Sequence, residues 1–344
     1  MSDDVLVYGA YGHTGRFVVA ELLRRGLVPI LSGRDATALE DLRHRFPGQR
    51  VRVAATDDGA ALRSAAHGVA AVVNCAGPFL DTALPVAAAA VSAGAHYLDC
   101  SAEQAAVQQL YRAYAEPDSH ADVVVLPAMA FYGGLADLLA TAAVAGWSAA
   151  DEVTIAIGLD RWWPTEGTRT TGRRNTATRL IVEDGRLAPV SGEAPIRAWN
   201  FPEPLGQRSI TRAPFSEIIT LARHISATSI QTYLATNALD DIRDPTTPAP
   251  QAADASGRSA QCFTVDVVAR RGQEMRRTSA SGQDIYAVTA PLLVEAVQRL
   301  LDGRATARGA AAPGETFDAS DFLTALHTSH VMIEQDTPDG HRFA

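Results

Sequence analysis

The most telling feature of this 344-residue sequence is an absence, because all 30 of its basic residues are arginine and none is lysine. Chemistry that needs a lysine amine, such as Schiff-base formation or a Tyr-x-x-x-Lys proton relay, is therefore excluded. The three cysteines, Cys75, Cys100 and Cys262, lack Cys-x-x-Cys spacing, so neither a disulfide framework nor a zinc site is indicated. We predict reduced thiols and no bound metal.

The sequence also has no excess of positive charge and no long apolar run. The formal net charge of −9 argues against nucleic acid or an anionic membrane as a partner. The longest alanine-rich segment, 83–95, is shorter than a membrane-spanning helix, and the acidic start Met1-Ser-Asp-Asp4 is unlike a targeting signal. We therefore expect a cytoplasmic protein with a small-molecule substrate. Its length exceeds what one core usually fills, which favours two domains.

A glycine-rich stretch organises the first part of the chain. An apolar run ends at Gly9 and a helical pattern begins at Phe17, with glycines spaced Gly-x-x-Gly-x-x-Gly between them. Gly9 would make a tight turn, Gly12 would let backbone approach a pyrophosphate, and Gly15 would let the helix pack on the strand. The following helix would point its free N–H groups at that pyrophosphate, although an ordinary turn can also be glycine-rich. The cofactor-binding residues predicted from this stretch are Gly9, Tyr11, Gly12, His13, Thr14 and Gly15.

The pattern of strands and helices predicts two architectures. From Val5 to about Pro127, short β-branched runs alternate with helical periodicity, which indicates a parallel sheet whose carboxyl ends share one edge. From about Asp151, strands follow one another, with a helix predicted at Thr170–Val182. The predicted class is α/β, a Rossmann-type doubly wound parallel sheet plus an α+β second domain with a mainly antiparallel sheet. The predicted parts are a nucleotide-binding domain at 1–130, a substrate and dimerisation domain at 131–281, C-terminal helices returning to the first domain at 282–335, and a tail at 336–344.

The end of the second strand, Leu31-Ser-Gly-Arg34, predicts the cofactor. A site for NAD would be expected to offer an acidic residue there to the ribose 2′-OH. Arg34 could instead make a charge-assisted contact to a 2′-phosphate, with Ser32 adding a hydroxyl beside Gly33, so NADP(H) is favoured. Asp35 is the competing acidic group, but it is equally typical of the N-cap of the next helix.

Two more strand ends reach the same edge. In Asn74-Cys-Ala-Gly-Pro-Phe79, a turn would set Phe79 over one face of a nicotinamide, unless it is an ordinary strand-ending turn. In Tyr97-Leu-Asp-Cys-Ser-Ala-Glu103, Asp99 and Glu103 are candidate functional carboxylates. Asp99 could equally fix neighbouring loops, and Glu103 could simply open its helix. The cofactor-contacting residues predicted from the first of these turns are Asn74, Ala76, Gly77, Pro78 and Phe79.

Together these motifs resemble the NADP-binding half of the saccharopine dehydrogenase-like reductases, a group that includes proteins similar to trans-acting enoyl reductases. The resemblance is close over about the first 130 residues and looser at 282–290 and 313–317. It implies NADP(H) binding and reduction of a C=N, C=C or C=O bond. The motifs that carry it are Gly-x-x-Gly-x-x-Gly-Arg at 9–16, Ser-Gly-Arg-Asp at 32–35, and the segments 74–79 and 97–103.

The sequence departs from this family after the sixth strand. Relatives tend to show Gly-Phe-Asp-Ser-x-Pro, whereas this chain has Ala130-Phe-Tyr-Gly-Gly-Leu135. We predict Tyr132 as the proton donor, because a phenol stays protonated near neutral pH. The alternative is that Tyr132 has only a structural role and packs between the domains. Other candidate donors are Tyr11, Asp99 and His224. The predicted catalytic residues are Tyr132 and Asp99.

The loop 159–169 supplies the predicted substrate-binding residues. Trp162 and Trp163 are two of the four tryptophans, and paired aromatics in a loop favour a cavity cover, with an interface or a core plug as alternatives. Arg169 opens a helix at the unfavourable end of its dipole, which fits an anionic group or a solvated face.

The leading hypothesis is an NADPH-dependent reductase of an activated C=N or C=C bond in a small, largely apolar substrate, acting as a homodimer. Its main alternative is a catalytically inactive NADP-binding sensor or scaffold. A short-chain dehydrogenase would need the missing lysine.

Overall fold

The computed structural model describes residues 4–115, 122–192, 195–327 and 330–336. Within these ranges the chain forms one seven-stranded sheet and one nine-stranded sheet with helices packed against them. The predicted fold class is confirmed. The predicted tail, 336–344, lies outside the described residues except for Asp336, which ends the last strand.

The first sheet is parallel throughout and has the strand order β15-β6-β5-β4-β1-β2-β3. Alternate residues of its strands enter cores on opposite faces: Val5 and Val7 belong to one core and Leu6 and Tyr8 to the other. Helices therefore cover both faces, as in a doubly wound sheet. The strands are β1 (Asp4–Tyr8), β2 (Val28–Gly33), β3 (Arg50–Val53), β4 (Ala71–Asn74), β5 (His96–Asp99), β6 (Val124–Leu126) and β15 (Gly309–Ala310). The helices between them are α1 (His13–Arg24), α2 (Ala36–Arg45), α3 (Gly59–Ala66), α4 (Phe79–Ser92) and α5 (Gln104–Ala113).

The second sheet is mainly antiparallel, apart from the parallel pairing of β7 with β12. Its strands are β7 (Ala150–Leu159), β8 (Leu180–Glu183), β9 (Arg186–Pro189), β10 (Arg197–Asn200), β11 (Gln207–Arg212), β12 (Ala227–Ala235), β13 (Cys262–Arg271), β14 (Glu274–Gln283) and β16 (Met332–Asp336). A π-helical turn at Phe131–Leu135 leads into it. The remaining helices are α6 (Ala136–Ala143), α7 (Glu166–Arg174), α8 (Glu217–His224), α9 (Thr236–Arg243), α10 (Thr289–Leu301), α11 (Pro313–Thr316) and α12 (Ala319–Leu326).

The helix predicted at Thr170–Val182 is wrong in its second half. Helix α7 ends at Arg174, and β8 and β9 form a hairpin instead. The turn residues Asp184 and Gly185 have φ of 51° and 72°, the left-handed conformation that a two-residue Asp-Gly hairpin turn requires. The β-branched pair Ile181 and Val182 is buried in β8, so local turn chemistry and burial outweigh the helical pattern.

Helix α10 returns to the first domain and packs on α1. The contact is held by buried ions: Arg25 lies 2.5 Å from Glu295 and donates to Gln298 at 2.7 Å. Arg299 pairs with Glu295 at 2.7 Å and with Asp321 of α12 at 2.6 Å. Because unpairing a buried charge is costly, this network fixes the C-terminal segment against the nucleotide-binding domain.

Candidate active site

The glycine turn after β1 is packed so closely that side chains have no room. Gly9 has φ 78°, its N–H donates to the Ser32 carbonyl at 2.8 Å, and a Cβ there would lie 2.9 Å from the Ala76 nitrogen. A Cβ on Gly15 would lie 2.3 Å from the Gly9 oxygen. Helix α1 begins immediately after Gly12, which supplies no side-chain cap. The turn therefore fits a pyrophosphate, since the first N–H groups of α1 have no capping side chain.

The other predicted residues of this turn are half-buried around it. The Tyr11 ring packs on β2, where a Cβ on Gly33 would lie 2.6 Å from Tyr11 Cε1. His13 packs edge-on against Tyr286, with ring centroids 5.3 Å apart, and its Nε2 is buried without a partner among the described residues. Burial lowers the pKa of His13, so its ring is neutral at physiological pH. Thr14 lies in the first turn of α1.

Arg34 is the group at the end of β2 that is available to a 2′-phosphate. It is exposed, and the described part of the chain offers it no ion-pair partner. Ser32, by contrast, is fully buried and its hydroxyl donates to the Arg52 carbonyl at 2.7 Å. Asp35 caps α2 by accepting a hydrogen bond from the Ala38 N–H at 3.0 Å. The acidic competitor is thus occupied as a helix cap.

The turn after β4 is held by Asn74 and Thr82. The Asn74 amide oxygen accepts from the Ala76 N–H at 3.0 Å, and the Thr82 hydroxyl donates to the Ala76 carbonyl at 2.6 Å. Gly77 is exposed, and a Cβ there would lie 2.9 Å from the Thr171 hydroxyl, so α7 covers this turn. Pro78 precedes α4, and the Phe79 ring is only 7% exposed and packs in the core below.

Asp99 has the surroundings of a loop-fixing residue. One carboxylate oxygen accepts N–H bonds from Ala128 at 2.8 Å and Ser101 at 2.9 Å, and the other accepts from the Tyr97 hydroxyl at 2.9 Å. Complete burial raises the pKa of Asp99 to about 6 despite these bonds. Because both oxygens are used to join the ends of β5 and β6, we assign Asp99 no role in proton transfer.

Glu103, four residues further on, is different. Its Oε2 accepts the Phe79 N–H at 2.7 Å, while Oε1 is buried and has no hydrogen-bond partner within the described ranges. Burial raises the pKa of Glu103 to about 7, and the nearby Asp99 and Asp81 charges add to the rise. The Glu103 carboxyl therefore lies against the amino end of α4, with one oxygen paired to the Phe79 N–H.

The second domain contributes another buried carboxyl, that of Glu217. Glu217 is fully buried and accepts the Phe215 N–H at 2.9 Å, and burial raises its pKa to about 7. The Arg179 guanidinium lies 5.5 Å from the Phe215 ring and donates to the Pro214 carbonyl at 2.8 Å. Burial lowers the pKa of Arg179, while Glu217 and Glu103 oppose that shift, so this cation lies in the field of both carboxyls. Neither Glu217 nor Arg179 was predicted; the available signal for Glu217 was a charged residue at the start of α8, directly before the apolar pair Ile218 and Ile219.

Tyr132 lies in the π-helical turn between the domains. A Cβ on Gly133 would lie 2.2 Å from the Ala128 oxygen, so this tight turn needs the glycine. The Tyr132 ring stacks on Phe215 with centroids 4.2 Å apart. Its hydroxyl is buried, and the part of the chain that the structure describes provides no hydrogen-bond partner for it. Burial raises the pKa of Tyr132 well above the ordinary range, so the phenol is protonated.

Of the three predicted substrate-binding residues, Trp162 reaches this cluster. Its ring centroid is 6.1 Å from that of Tyr132, and its Nε1 donates to the Tyr286 hydroxyl at 3.0 Å. Tyr286, which sequence reasoning missed, therefore links Trp162 to His13 of the glycine turn.

The side chains of Trp163 and Arg169 contact other parts of the protein close to their own loop. The Trp163 ring is covered by the Arg161 guanidinium at 5.2 Å. Arg169 donates to the carbonyls of Ile242, Asp244 and Thr247 at 3.2, 3.1 and 2.8 Å. Because its guanidinium anchors this neighbouring segment, we assign Arg169 no substrate contact. His224, the remaining candidate donor, pairs with Asp137 at 3.1 Å beside α11.

The arrangement defines a class of protein: a nucleotide-binding Rossmann domain whose sheet edge faces an aromatic and acidic wall from a second domain. Among the residues described, no three or more His, Cys, Asp or Glu side chains are grouped to hold a metal ion. No helix in the described ranges is long and apolar enough to cross a membrane.

Comparison with known protein families gives a match to the first part of the chain. The sequence model of the saccharopine dehydrogenase NADP binding domain matches residues 5–126. This part of the chain is therefore similar to a saccharopine dehydrogenase NADP binding domain, which confirms the predicted resemblance and the predicted cofactor, NADP(H).

Two curated relatives each match part of the chain. A probable mitochondrial saccharopine dehydrogenase-like oxidoreductase of Arabidopsis thaliana is 29% identical over 143 residues, which are 37% of this chain and 32% of that protein. A lipid droplet localized protein of Caenorhabditis elegans is 30% identical over 147 residues, 39% of this chain and 34% of that protein. The matches thus span about a third of each relative.

The similarity of fold extends over the whole chain. Apo saccharopine dehydrogenase (L-Glu forming) from Saccharomyces cerevisiae superposes with a TM-score of 0.67 at 12% identity. The match covers 97% of this chain and 100% of that chain. The two-domain architecture is therefore shared with that enzyme.

Proposed function

We propose that the protein is an NADPH-dependent reductase of an activated C=N or C=C bond in a small, largely apolar substrate. The observation that carries the proposal is the buried, protonated hydroxyl of Tyr132, which has no partner among the described residues and lies in an aromatic cluster opposite the nucleotide-binding domain. An unsatisfied buried donor is costly unless a ligand completes it.

The residues present fit the cofactor of the family. The close packing around Gly9 and Gly15 leaves backbone N–H groups for the pyrophosphate, and Arg34 is available to the 2′-phosphate. When bound, NADPH supplies the hydride. The chain supplies orientation, exclusion of water and a proton from Tyr132.

The buried charges favour C=N over C=C as the reduced bond. Burial raises the pKa of Glu103 and of Glu217 to about 7, and the Arg179 guanidinium lies in the field of both carboxyls. A protonated imine would bring a positive charge that ionised carboxyls stabilise in a low-dielectric site. A neutral enoyl group would gain no such benefit.

The test measures NADPH oxidation by absorbance against a panel of cyclic imines and enoyl thioesters, with NADPH affinity determined separately by calorimetry. We expect turnover of at least one imine and a faster reaction with imines than with enoyl thioesters. Tight NADPH binding without turnover of any compound would favour the inactive sensor or scaffold.

The sensor has one specific observation in its favour. Tyr132 and Gly133 stand where relatives of this family tend to have a polar pair, so the family's chemistry at this loop is altered. The homodimer and the cytoplasmic location remain predictions from the sequence.

A further inference from the structure

Two cysteines face each other at the carboxyl edge of the first sheet. Cys75 follows the last residue of β4 and Cys100 follows the last residue of β5. These strands are parallel neighbours with Asn74 opposite Asp99, so the next pair in register is Cys75 and Cys100. The ladder continues into both residues, because the Cys75 N–H donates to the Tyr8 carbonyl at 2.8 Å and the Cys100 N–H to the Asn74 carbonyl at 3.3 Å.

The register places the two thiols side by side on neighbouring strands, and the Cys100 Sγ also lies 3.7 Å from the Asn74 carbonyl oxygen. A hydrogen bond between the two thiols, together with burial, raises the pKa of the Cys100 thiol well above its usual range. Both residues are half-buried and free of disulfides. Neighbouring strands lie about 4.8 Å apart, within the range of about 4.4–6.8 Å between Cα atoms that a disulfide allows.

The pair adjoins the nucleotide site directly. Ala76, the residue after Cys75, has its nitrogen 2.9 Å from the position of a Cβ on Gly9. The same nitrogen is held by the Asn74 side chain at 3.0 Å. Joining the two sulfurs at about 2.05 Å would draw this segment toward β5 and change the space beside the glycine turn.

We propose that Cys75 and Cys100 form an oxidation site whose disulfide blocks NADP(H) binding. Hydrogen peroxide oxidises the Cys75 thiolate: an S–O bond forms, the O–O bond breaks, and water leaves after proton transfer. The Cys100 sulfur then attacks the sulfenic sulfur, so that the S–S bond forms and the S–O bond breaks, and the Cys100 thiol proton joins the leaving hydroxide as a second water. Two thiols and one peroxide thus give one disulfide and two waters.

The inference goes beyond the proposed function, because it depends on the nucleotide site alone and not on the substrate. Linkage also requires the reverse effect: if the disulfide weakens NADP(H) binding, bound NADP(H) must disfavour the disulfide by the same factor. Cys262 is an internal control, since its thiol lies in β13 near the Ala260 carbonyl, away from the pair.

The experiment treats the whole protein with hydrogen peroxide, with and without saturating NADP⁺, and maps disulfides by alkylation and mass spectrometry. NADP⁺ affinity is measured by calorimetry before oxidation, after oxidation and after reduction with a dithiol. We expect a 75–100 disulfide that NADP⁺ suppresses, an affinity at least about tenfold lower, and recovery on reduction. Cys262→Ser should respond like the natural protein.

The variant Cys100→Ser tests whether the disulfide is needed. Its NADP⁺ affinity after peroxide is compared with its own NADP⁺ affinity before peroxide. Affinity that no longer falls with peroxide supports the proposal, whereas a fall as large as in the natural protein overturns it. Two results with the natural protein would also overturn the proposal. Peroxide leaves Cys75 and Cys100 unlinked, or it links them and NADP⁺ binds as before. None of these readouts depends on catalytic turnover.

Discussion

The two sides of the candidate site, which we call the cofactor wall and the second wall, are built by different means. The cofactor wall is made of backbone: Gly9 and Gly15 leave no room for side chains, and α1 presents N–H groups without a capping side chain. The opposite wall is made of side chains from separate segments, among them Tyr132, Phe215 and Glu217. Backbone geometry is encoded within a dozen residues, whereas the second wall exists only once distant segments meet.

The walls also differ in charge. The cofactor wall combines the amino end of α1 with exposed Arg34, which suits an anionic dinucleotide. The second wall contains Glu217, and the nucleotide-binding domain contains Glu103. Burial raises the pKa of each carboxyl to about 7. One wall therefore binds negative charge, and the other can hold or release protons near neutral pH.

Gly12→Val should break the cofactor wall, with the largest effect. Gly12 has φ −65°, which any residue adopts, and a Cβ would lie 3.0 Å from the Gly9 oxygen, so the fold should survive with a slightly lower melting temperature. The side chain would fill the pyrophosphate path and abolish NADP(H) binding in calorimetry. Gly15→Val is the contrasting variant, because its Cβ would collide with backbone at 2.3 Å and should destabilise the protein itself. Normal NADP(H) binding by Gly12→Val would place the nucleotide elsewhere.

Tyr132→Phe should break the second wall alone. We expect turnover of an accepted substrate to fall by about 10²–10⁴-fold, the usual contribution of a positioned acid, with NADPH affinity unchanged. The melting temperature should not fall, because the lost hydroxyl has no partner among the described residues. Tyr233→Phe is the control, since that hydroxyl bonds Gln231 on another part of the second sheet. Turnover within a few-fold of the natural enzyme would remove Tyr132 from the mechanism.

Arg34→Ala sharpens the comparison by testing charge on the cofactor wall. Loss of a hydrogen bond to a charged group should weaken NADP(H) binding by about 1.5–3 kcal/mol and leave NAD(H) binding nearly unchanged. Arg45→Ala, at the far end of α2, removes an exposed arginine without this effect. Equal losses for both cofactors would refute the 2′-phosphate contact.

Glu217→Gln tests the acidic wall through stability. Because the folded-state pKa of Glu217 is raised to about 7, the folded protein holds a proton that the unfolded chain releases near its ordinary, lower pKa. Stability therefore falls as pH rises between those values. We measure the free energy of unfolding by denaturant at about pH 5.5 and about pH 8. Its decrease between these two pH values should be smaller in the variant than in the natural protein by about 1–2 kcal/mol. An unchanged pH dependence would contradict the raised pKa; Glu103 stays in the variant, so some dependence should remain.

The first domain could be predicted closely because its signals are local. Strands and helices alternate through this domain as the pattern predicts, and β2 ends at Gly33 within the predicted strand end Leu31-Ser-Gly-Arg34. The β8–β9 hairpin was missed although Asp184-Gly185 announced it, since a helical pattern was extended through the turn.

The second wall could be predicted only in part. Tyr132 and Trp162 stand out as an unusual loop and a tryptophan pair, but Arg179 and Tyr286 carry no local signature and acquire their roles from partners more than 30 residues away. Asp99 and Glu103 look alike in sequence. Their difference depends on which N–H groups the folded chain brings to each carboxyl: Asp99 uses both oxygens, and Glu103 uses one.

Helix α7 has a kinetic consequence. It lies over the turn that would carry the nicotinamide, with the Thr171 hydroxyl above Gly77, and its last residue, Arg174, is paired with Asp81 of α4. That ion pair is exposed, so its attraction is weak and screened by salt. If a bound nicotinamide lies over Gly77, we expect release of the spent cofactor to require movement of α7 away from α4, and added salt should then speed that release in stopped-flow measurements.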